Sequence, residues 1–248
     1  MIDTHAHLDA LDDPSAAVAR ARDAGVTRIL AVGTSVDVCR RALTFAEEHD
    51  EVYAILGIHP HAAGEIDGGS VQEARAMLGH PRAVAVGEIG LDYHRDYAPR
   101  DAQRRLFDQL LAVAADTGKP AVVHTRAADA DTLAALAGFD GTVVLHCFSS
   151  VTLLPAAIER GYYVSFAGNV TFPTAADLRI AATRVPADRL LAETDTPYLA
   201  PQPVRGRTNE PAYVMHTLAA LAEARNTETA ELEAVIVANA SRAFGLPA

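Results

Sequence analysis

Six residues able to bind a metal ion recur at one kind of position. His5 and His7 lie in the opening stretch Asp3-Thr4-His5-Ala6-His7, and Glu88, His124, His146 and Asp195 each stand at or near the end of a short apolar run. Side chains of a β-strand repeat every second residue, so His5 and His7 would face one side and close on one ion. Taken singly, each of the six is ordinarily a hydrogen-bonded polar group at a strand end. Together they point to one shared site, and nitrogen and oxygen donors suit Zn, Mn or a similar ion. Six protein donors are too many for one ion that keeps an open position. The simplest arrangement is therefore two divalent ions (Mg, Mn or Zn) bridged by a carboxylate.

Such a pair of ions lowers the pKa of a bound water toward neutrality. Asp195 could hold an ion and also accept that water's proton, because a metal-bound imidazole has given up its basic lone pair. Two carboxylates cancel only part of the charge of two divalent ions, which leaves a positive pocket that favours a phosphodiester over a neutral amide. Around it, His61, Arg126, Arg207 and Asn209 are candidate substrate contacts, with arginine suited to bidentate pairing with phosphate oxygens. Glu193 reads as a buried hydrogen-bonded carboxylate and Asp92 as structural. His49, His80 and His216 read as ordinary surface histidines, and Cys147 as buried packing.

These residues need elements that bring distant chain positions together. Apolar strand-like runs span Thr27 to Val32, Val52 to Ile58, Ala83 to Ile89, Ala121 to His124, Thr142 to His146, Tyr162 to Ala167 and Arg189 to Thr194, after the opening one. Helical patterns alternate with them: Pro14 to Ala24, Val38 to His49, Ser70 as N-cap through Leu78, Ala102 to Thr117, Ala130 to Ala137, Leu153 to Arg160 and Ala175 to Thr183. A Gly-rich loop precedes Ser70, and a proline-rich loop follows the last strand. Two closing helices span Pro211 to Arg225 and Thr227 to Ala243. Eight strands with long crossovers imply parallel βαβ units and a closed (β/α)8 TIM-type barrel in which strand carboxyl ends share one face. A doubly wound open sheet is the competing architecture. No linker or internal repeat divides the chain, so residues 1–248 are expected to form a single domain.

Composition narrows the function. The chain has 248 residues, half of them hydrophobic, and a formal charge of −11. That charge excludes a broad basic footprint on duplex DNA. Cys39 and Cys147 are the only cysteines and form no framework, which fits a reducing cytoplasm. The metal clip begins at residue 3, so a cleaved signal peptide is not expected, and no apolar run reaches membrane-spanning length. Neither a membrane nor an obligate protein partner is expected.

The stretches MIDTHAHLD, GIHPH, VGEIGLDYH, VVHTR, LHCFS and ETDTPYLAP, followed by RGRTNEP and NASRAFGL, resemble the TatD family of metal-dependent deoxyribonucleases in the amidohydrolase superfamily. The resemblance covers nearly the whole chain. It implies a TIM-type barrel in which the residues matching His5, His7, Glu88 and Asp195 hold one ion and those matching Glu88, His124 and His146 the other. The family often has Asp where this chain has Ala127, and Gly where it has Ser150. Both departures bear on substrate contacts and loop shape, not on the ligands.

The leading expectation is a two-ion phosphodiesterase, a 3′-5′ exonuclease on single-stranded DNA. A hydrolase of a small cyclic amide, ester or lactone, or of an aminoacyl-tRNA ester, is the alternative on the same scaffold. In such relatives a carboxylated lysine often bridges the ions, whereas Lys119 is the only lysine here. A non-catalytic metal-binding scaffold is the third reading, disfavoured by the intact ligand set.

Overall fold

Strands and helices alternate as the apolar runs imply. The computed structural model describes residues 1–66 and 69–247, so residues 67 and 68 of the Gly-rich loop lie outside it. The strands are β1 (Ile2–Ala6), β2 (Arg28–Val32), β3 (Val52–Leu56), β4 (Ala83–Asp92), β5 (Ala121–Arg126), β6 (Val143–Leu145), β7 (Tyr163–Phe166) and β8 (Leu190–Ala192). The helices are α1 (Pro14–Asp23), α2 (Val36–Glu48), α3 (Ser70–Met77), α4 (Arg100–Thr117), α5 (Asp129–Ala135), α6 (Leu154–Glu159), α7 (Ala176–Arg184), α8 (Val214–Arg225) and α9 (Thr229–Phe244).

All eight strands form one parallel sheet in chain order, β1 to β8. The sheet curls into a nearly closed barrel. Its seam is an isolated bridge between Ala6 and Thr196, flanked by the Asp195 amide donating to the His5 carbonyl (3.0 Å) and the His7 amide donating to the Thr196 carbonyl (2.8 Å). Asp3 pins the same seam. Its carboxylate accepts from the Thr194 amide (2.9 Å) and hydroxyl (2.6 Å), and burial raises its pKa to about 8.

Alternation along the strands sorts the core into two sets. Ile29, Ala31, Ala54 and Leu56 pack outward with helix residues such as Cys39, Ala42 and Phe107. Ile2, Leu30, Val32, Ile55, Val122, Val144 and Leu191 form a second cluster, and α9 is the helix that reaches it, through Ala240, Ala243 and Phe244. That cluster fills the barrel lumen, and α9 plugs one end. Asn239 fixes the plug by donating to the Ala187 (2.7 Å) and Leu190 (2.9 Å) carbonyls at the start of β8.

Element ends shift by a few residues from the sequence reading. Ser70 is the first residue of α3, not its cap, because Gly69 already has helical angles (φ −90°, ψ −24°). β4 runs on to Asp92, past the expected end at Ile89, because it pairs with the extended β5 out to Asp92 and Arg126. Pro211 opens a short 3-10 turn ahead of α8.

Candidate metal centre

The β4 strand carries the central carboxylate. Its ladder to β5 slips register between Val86 and Ile89, an irregularity of the kind that re-aims a side chain, and Glu88 lies inside it. Gly87 lies inside the slip and Gly90 just beyond it. A Cβ at Gly87 would meet Val122 Cβ at 2.6 Å, and Gly90 has φ +136° with its absent Cβ 2.0 Å from the His124 carbonyl oxygen. Only glycine lets β4 lie this close to β5.

Glu88 is 3% exposed and presents its two oxygens to two groups of donors. On one side, Oε2 lies 3.5 Å from His5 Nε2 and 3.7 Å from His7 Nε2. Asp195 Oδ1 completes this group, 3.4 Å from His7 Nε2 and 4.0 Å from His5 Nε2. On the other side, Oε1 lies 2.8 Å from both His124 Nδ1 and His146 Nε2. His59 Nε2 approaches the same oxygen at 3.4 Å.

Two buried carboxylates stand behind the second group. His124 Nε2 lies 3.4 Å from Asp92 Oδ2, and His146 Nδ1 lies 3.3 Å from Glu193 Oε1. A carboxylate behind an imidazole fixes the ring and leaves the opposite nitrogen free to ligate. Asp92 is itself held in place. Gln103 of α4, fully buried, accepts from its amide (2.9 Å) and donates to its carbonyl (3.2 Å). Glu193 also accepts from the Cys147 amide at 2.7 Å.

Electrostatics keep the centre charged. Burial alone would raise the pKa of Glu88, but His146 and the hydrogen bonds from His124 and His146 outweigh it and hold Glu88 well below the carboxylate range. Burial likewise opposes protonation of His146, yet Glu88 and Glu193 hold its pKa well above that of a free imidazole. Asp195 stays ionised despite burial because His7 stands against it.

The residues fit divalent cations. His5 is fully buried, and neither of its ring nitrogens has a hydrogen-bond partner. A buried polar atom left bare costs about 1–3 kcal/mol, and a cation facing the ring would remove that cost at one nitrogen. Among the described residues, three donor groupings stand close enough to hold an ion: His5, His7 and Glu88; His5, His146 and Asp195; and His59, Glu88 and His124.

A model of the TatD related DNase family matches residues 2–245. The chain belongs to this family. An uncharacterized metal-dependent hydrolase TatD of Mycobacterium tuberculosis is 39% identical over 99% of this chain and 98% of its own length. A 3′-5′ ssDNA/RNA exonuclease TatD of Cronobacter sakazakii is 36% identical, covering 92% of this chain and 90% of its own. The solved structure of YJJV, a TatD homolog from Escherichia coli, superposes with a TM-score of 0.94 at 30% identity, covering 100% of this chain and 98% of that one. As a TatD family member, the chain is a metal-dependent hydrolase.

The fold of this TatD family chain brings His5, His7, Glu88, His124, His146 and Asp195 together. The outer candidates divide. His61 stands beside the centre, its Nε2 2.9 Å from Asp92 Oδ2 and its ring centroid 4.2 Å from that of His59 and 4.7 Å from that of Tyr97. Arg126 follows His124 and lines a 400 Å³ cavity with Thr125, Ala127, Asp129, Ser149 and Ser150. Asn209 is turned toward the loop backbone. It is fully buried and its amide donates to the Thr194 (2.8 Å) and Tyr198 (2.5 Å) carbonyls, while its Oδ1 accepts from the Glu210 amide, so it staples the proline-rich loop. Arg207 is exposed on the proline-rich loop, where its amide donates to the Val204 carbonyl at 3.1 Å.

Sequence reasoning passed over His59, although its spacing from His61 repeats that of His5 and His7. It also read Asp92 as merely structural, where the fold sets it against His124 and His61. His49 and His80 sit away from the centre, beside Ser15 and Glu47 respectively. The Ala127 departure falls at a left-handed backbone position (φ 54°), and the Ser150 hydroxyl donates to Asp129 at the cavity wall. No helix among the described residues is long and apolar enough to cross a membrane.

Proposed function

We propose that the protein is a two-ion phosphodiesterase that trims single-stranded DNA from the 3′ end. The observation that carries this reading is Glu88, whose two oxygens each face their own group of imidazoles. His5, His7, Glu88 and Asp195 would hold one divalent ion, and Glu88, His124 and His146 the other. When bound, such ions supply Lewis acidity, making water more acidic and neutralising phosphate oxygens.

The chain's own groups do the rest. Asp195 is ionised and its side chain is 13% exposed, more open than Glu88 at 4%, so it can take a proton from an attacking water. Glu88 is too enclosed by histidines for that task. Asp92 and Glu193 keep His124 and His146 from turning away. Arg126, two residues beyond His124 on β5, is the candidate partner for a phosphate next to the scissile one.

The rim of the centre suits a flexible strand. Tyr97 is 66% exposed with its ring 4.7 Å from that of His61, and Tyr198 is 58% exposed with its ring 5.9 Å from that of His7. Exposed aromatic rings offer stacking surfaces to unpaired bases, and the acidic chain lacks the basic surface that duplex binding needs. The exonuclease name of the Cronobacter relative supports the same substrate.

The small-amide or lactone reading is weaker. Lys119 donates from Nζ to the Ala83 carbonyl (2.6 Å), at the opposite end of β4 from Asp92, so it cannot supply a bridging carboxylated lysine.

The test is turnover by Mg-, Mn- and Zn-loaded protein on 5′-labelled single strands, duplex, RNA, bis(p-nitrophenyl) phosphate and lactones, with Asp195→Asn as control. The expected outcome is a 3′-shortened ladder from single strands. Intact strands under every metal would end the nuclease reading.

A further inference from the structure

Three imidazoles converge on Glu88 Oε1, and the group standing behind each ring differs. Behind His124 is the Asp92 carboxylate, and behind His146 the Glu193 carboxylate. A carboxylate accepts a hydrogen bond, so each of these rings can keep its one N–H on the rear nitrogen when the nitrogen facing Glu88 takes an ion. Behind His59 stands a donor instead: the His61 backbone amide donates to His59 Nδ1 at 3.2 Å.

A ring nitrogen that accepts a hydrogen bond has no proton, and a neutral imidazole has one N–H to place. The His59 proton therefore sits on Nε2, the nitrogen 3.4 Å from Glu88 Oε1. That nitrogen has no lone pair to give an ion. Although His59, Glu88 and His124 lie close enough for one, the tautomer makes His59 a donor. The backbone enforces this. The His59 amide donates to the Thr34 carbonyl (2.9 Å), and the 3-10 turn Pro60–Ala62 fixes the His61 amide under the ring.

Resting on the phosphodiester reading above, we infer that His59 is an N–H donor to a non-bridging oxygen of the bound phosphoryl group, and not a third histidine ligand of the ion beside His124 and His146. The side chain is 13% exposed, so its N–H acts in a largely water-free space where a fixed donor stabilises developing negative charge more than water does.

Nitrogen-15 correlation spectra of the imidazoles test the tautomer directly. His59 should show its proton on Nε2 in the metal-free protein and keep it when Zn is added, while His124 and His146 shift. Loss of the Nε2 proton on Zn addition would overturn the inference. His59→Ala and His59→Gln supply the second measurement. Both should retain the wild-type ion content by elemental analysis. Inorganic phosphate should bind metal-loaded His59→Ala about 10-fold more weakly, with kcat on bis(p-nitrophenyl) phosphate down about 100-fold and KM little changed. His59→Gln, which keeps an N–H donor, should recover much of both. An ion missing from His59→Ala, or unchanged phosphate binding and kcat, would overturn the inference while leaving the phosphodiester reading intact. Wild-type protein that neither binds phosphate nor cleaves a phosphodiester would remove that reading, and the donor's substrate with it.

Discussion

Glu193 Oε1 stands 3.3 Å from His146 Nδ1, on the far side of the ring from Glu88, so one imidazole spans a central and a supporting carboxylate. Removing the supporting charge should loosen one ion while sparing the fold, because Gln can still accept from the Cys147 amide. Glu193→Gln is expected to weaken one of the two ions about 10- to 100-fold, measured by metal titration calorimetry. Equal weakening of both ions would count against separate donor groups.

Glu88 serves both groups, so Glu88→Gln should affect both ions. Elemental analysis is expected to find ion content well below the wild type, with kcat down more than about 1000-fold. Retention of a full complement would show that the groups do not depend on Glu88.

Asp195 belongs to one group and is also the proposed proton acceptor. Asp195→Asn should lower kcat about 100- to 10,000-fold, the range for removing a general base, with a melting temperature near that of the wild type. The ion beside His124 and His146 should stay bound. Wild-type turnover in this variant would take Asp195 out of the mechanism.

Tyr97 and Tyr198 separate strand binding from bond cleavage. A base stacked on an aromatic ring is worth about 1–3 kcal/mol, so each change to Ala should raise KM for a single-stranded oligonucleotide roughly 5- to 100-fold. On bis(p-nitrophenyl) phosphate, which has no bases, kinetics should stay near wild type. Equal losses on both substrates would point to a disturbed centre instead of a lost stacking surface.

Cys39 gives a pH-dependent stability. Its thiol is fully buried, donates to the Gly57 carbonyl at 3.3 Å, and is pushed by burial from 9.0 to about 12. Between those values the unfolded chain has released this proton and the folded chain has not, so stability should fall as pH rises from about 9 toward 12, by up to about 1.4 kcal/mol per unit. Urea midpoints of wild type and Cys39→Ala measured from pH 8 to 11 should converge as pH rises. Thiol reagents at pH 8 should leave Cys39 unmodified until the protein unfolds.

The sequence by itself determined the alternation of strand and helix, the parallel barrel and the set of residues at strand ends. These follow from local apolar patterning and turn residues, which every segment carries without its neighbours. Pairing, tautomer and support were decided by tertiary structure. Strict alternation does not account for His5 and His7, because β1 slips register between Asp3 and Ala6 and His7 lies beyond the strand; the seam with Thr196 and Asp195 sets their rings. Asn209 has a side chain suited to substrate, yet both of its amide N–H groups donate to backbone carbonyls of the loop and its Oδ1 accepts from the Glu210 amide. Asp92 and Glu193 became partners of His124 and His146 only when β4, β5, β6 and β8 met at one mouth. A residue type states which bonds a side chain can make, and the fold decides which atom stands opposite it.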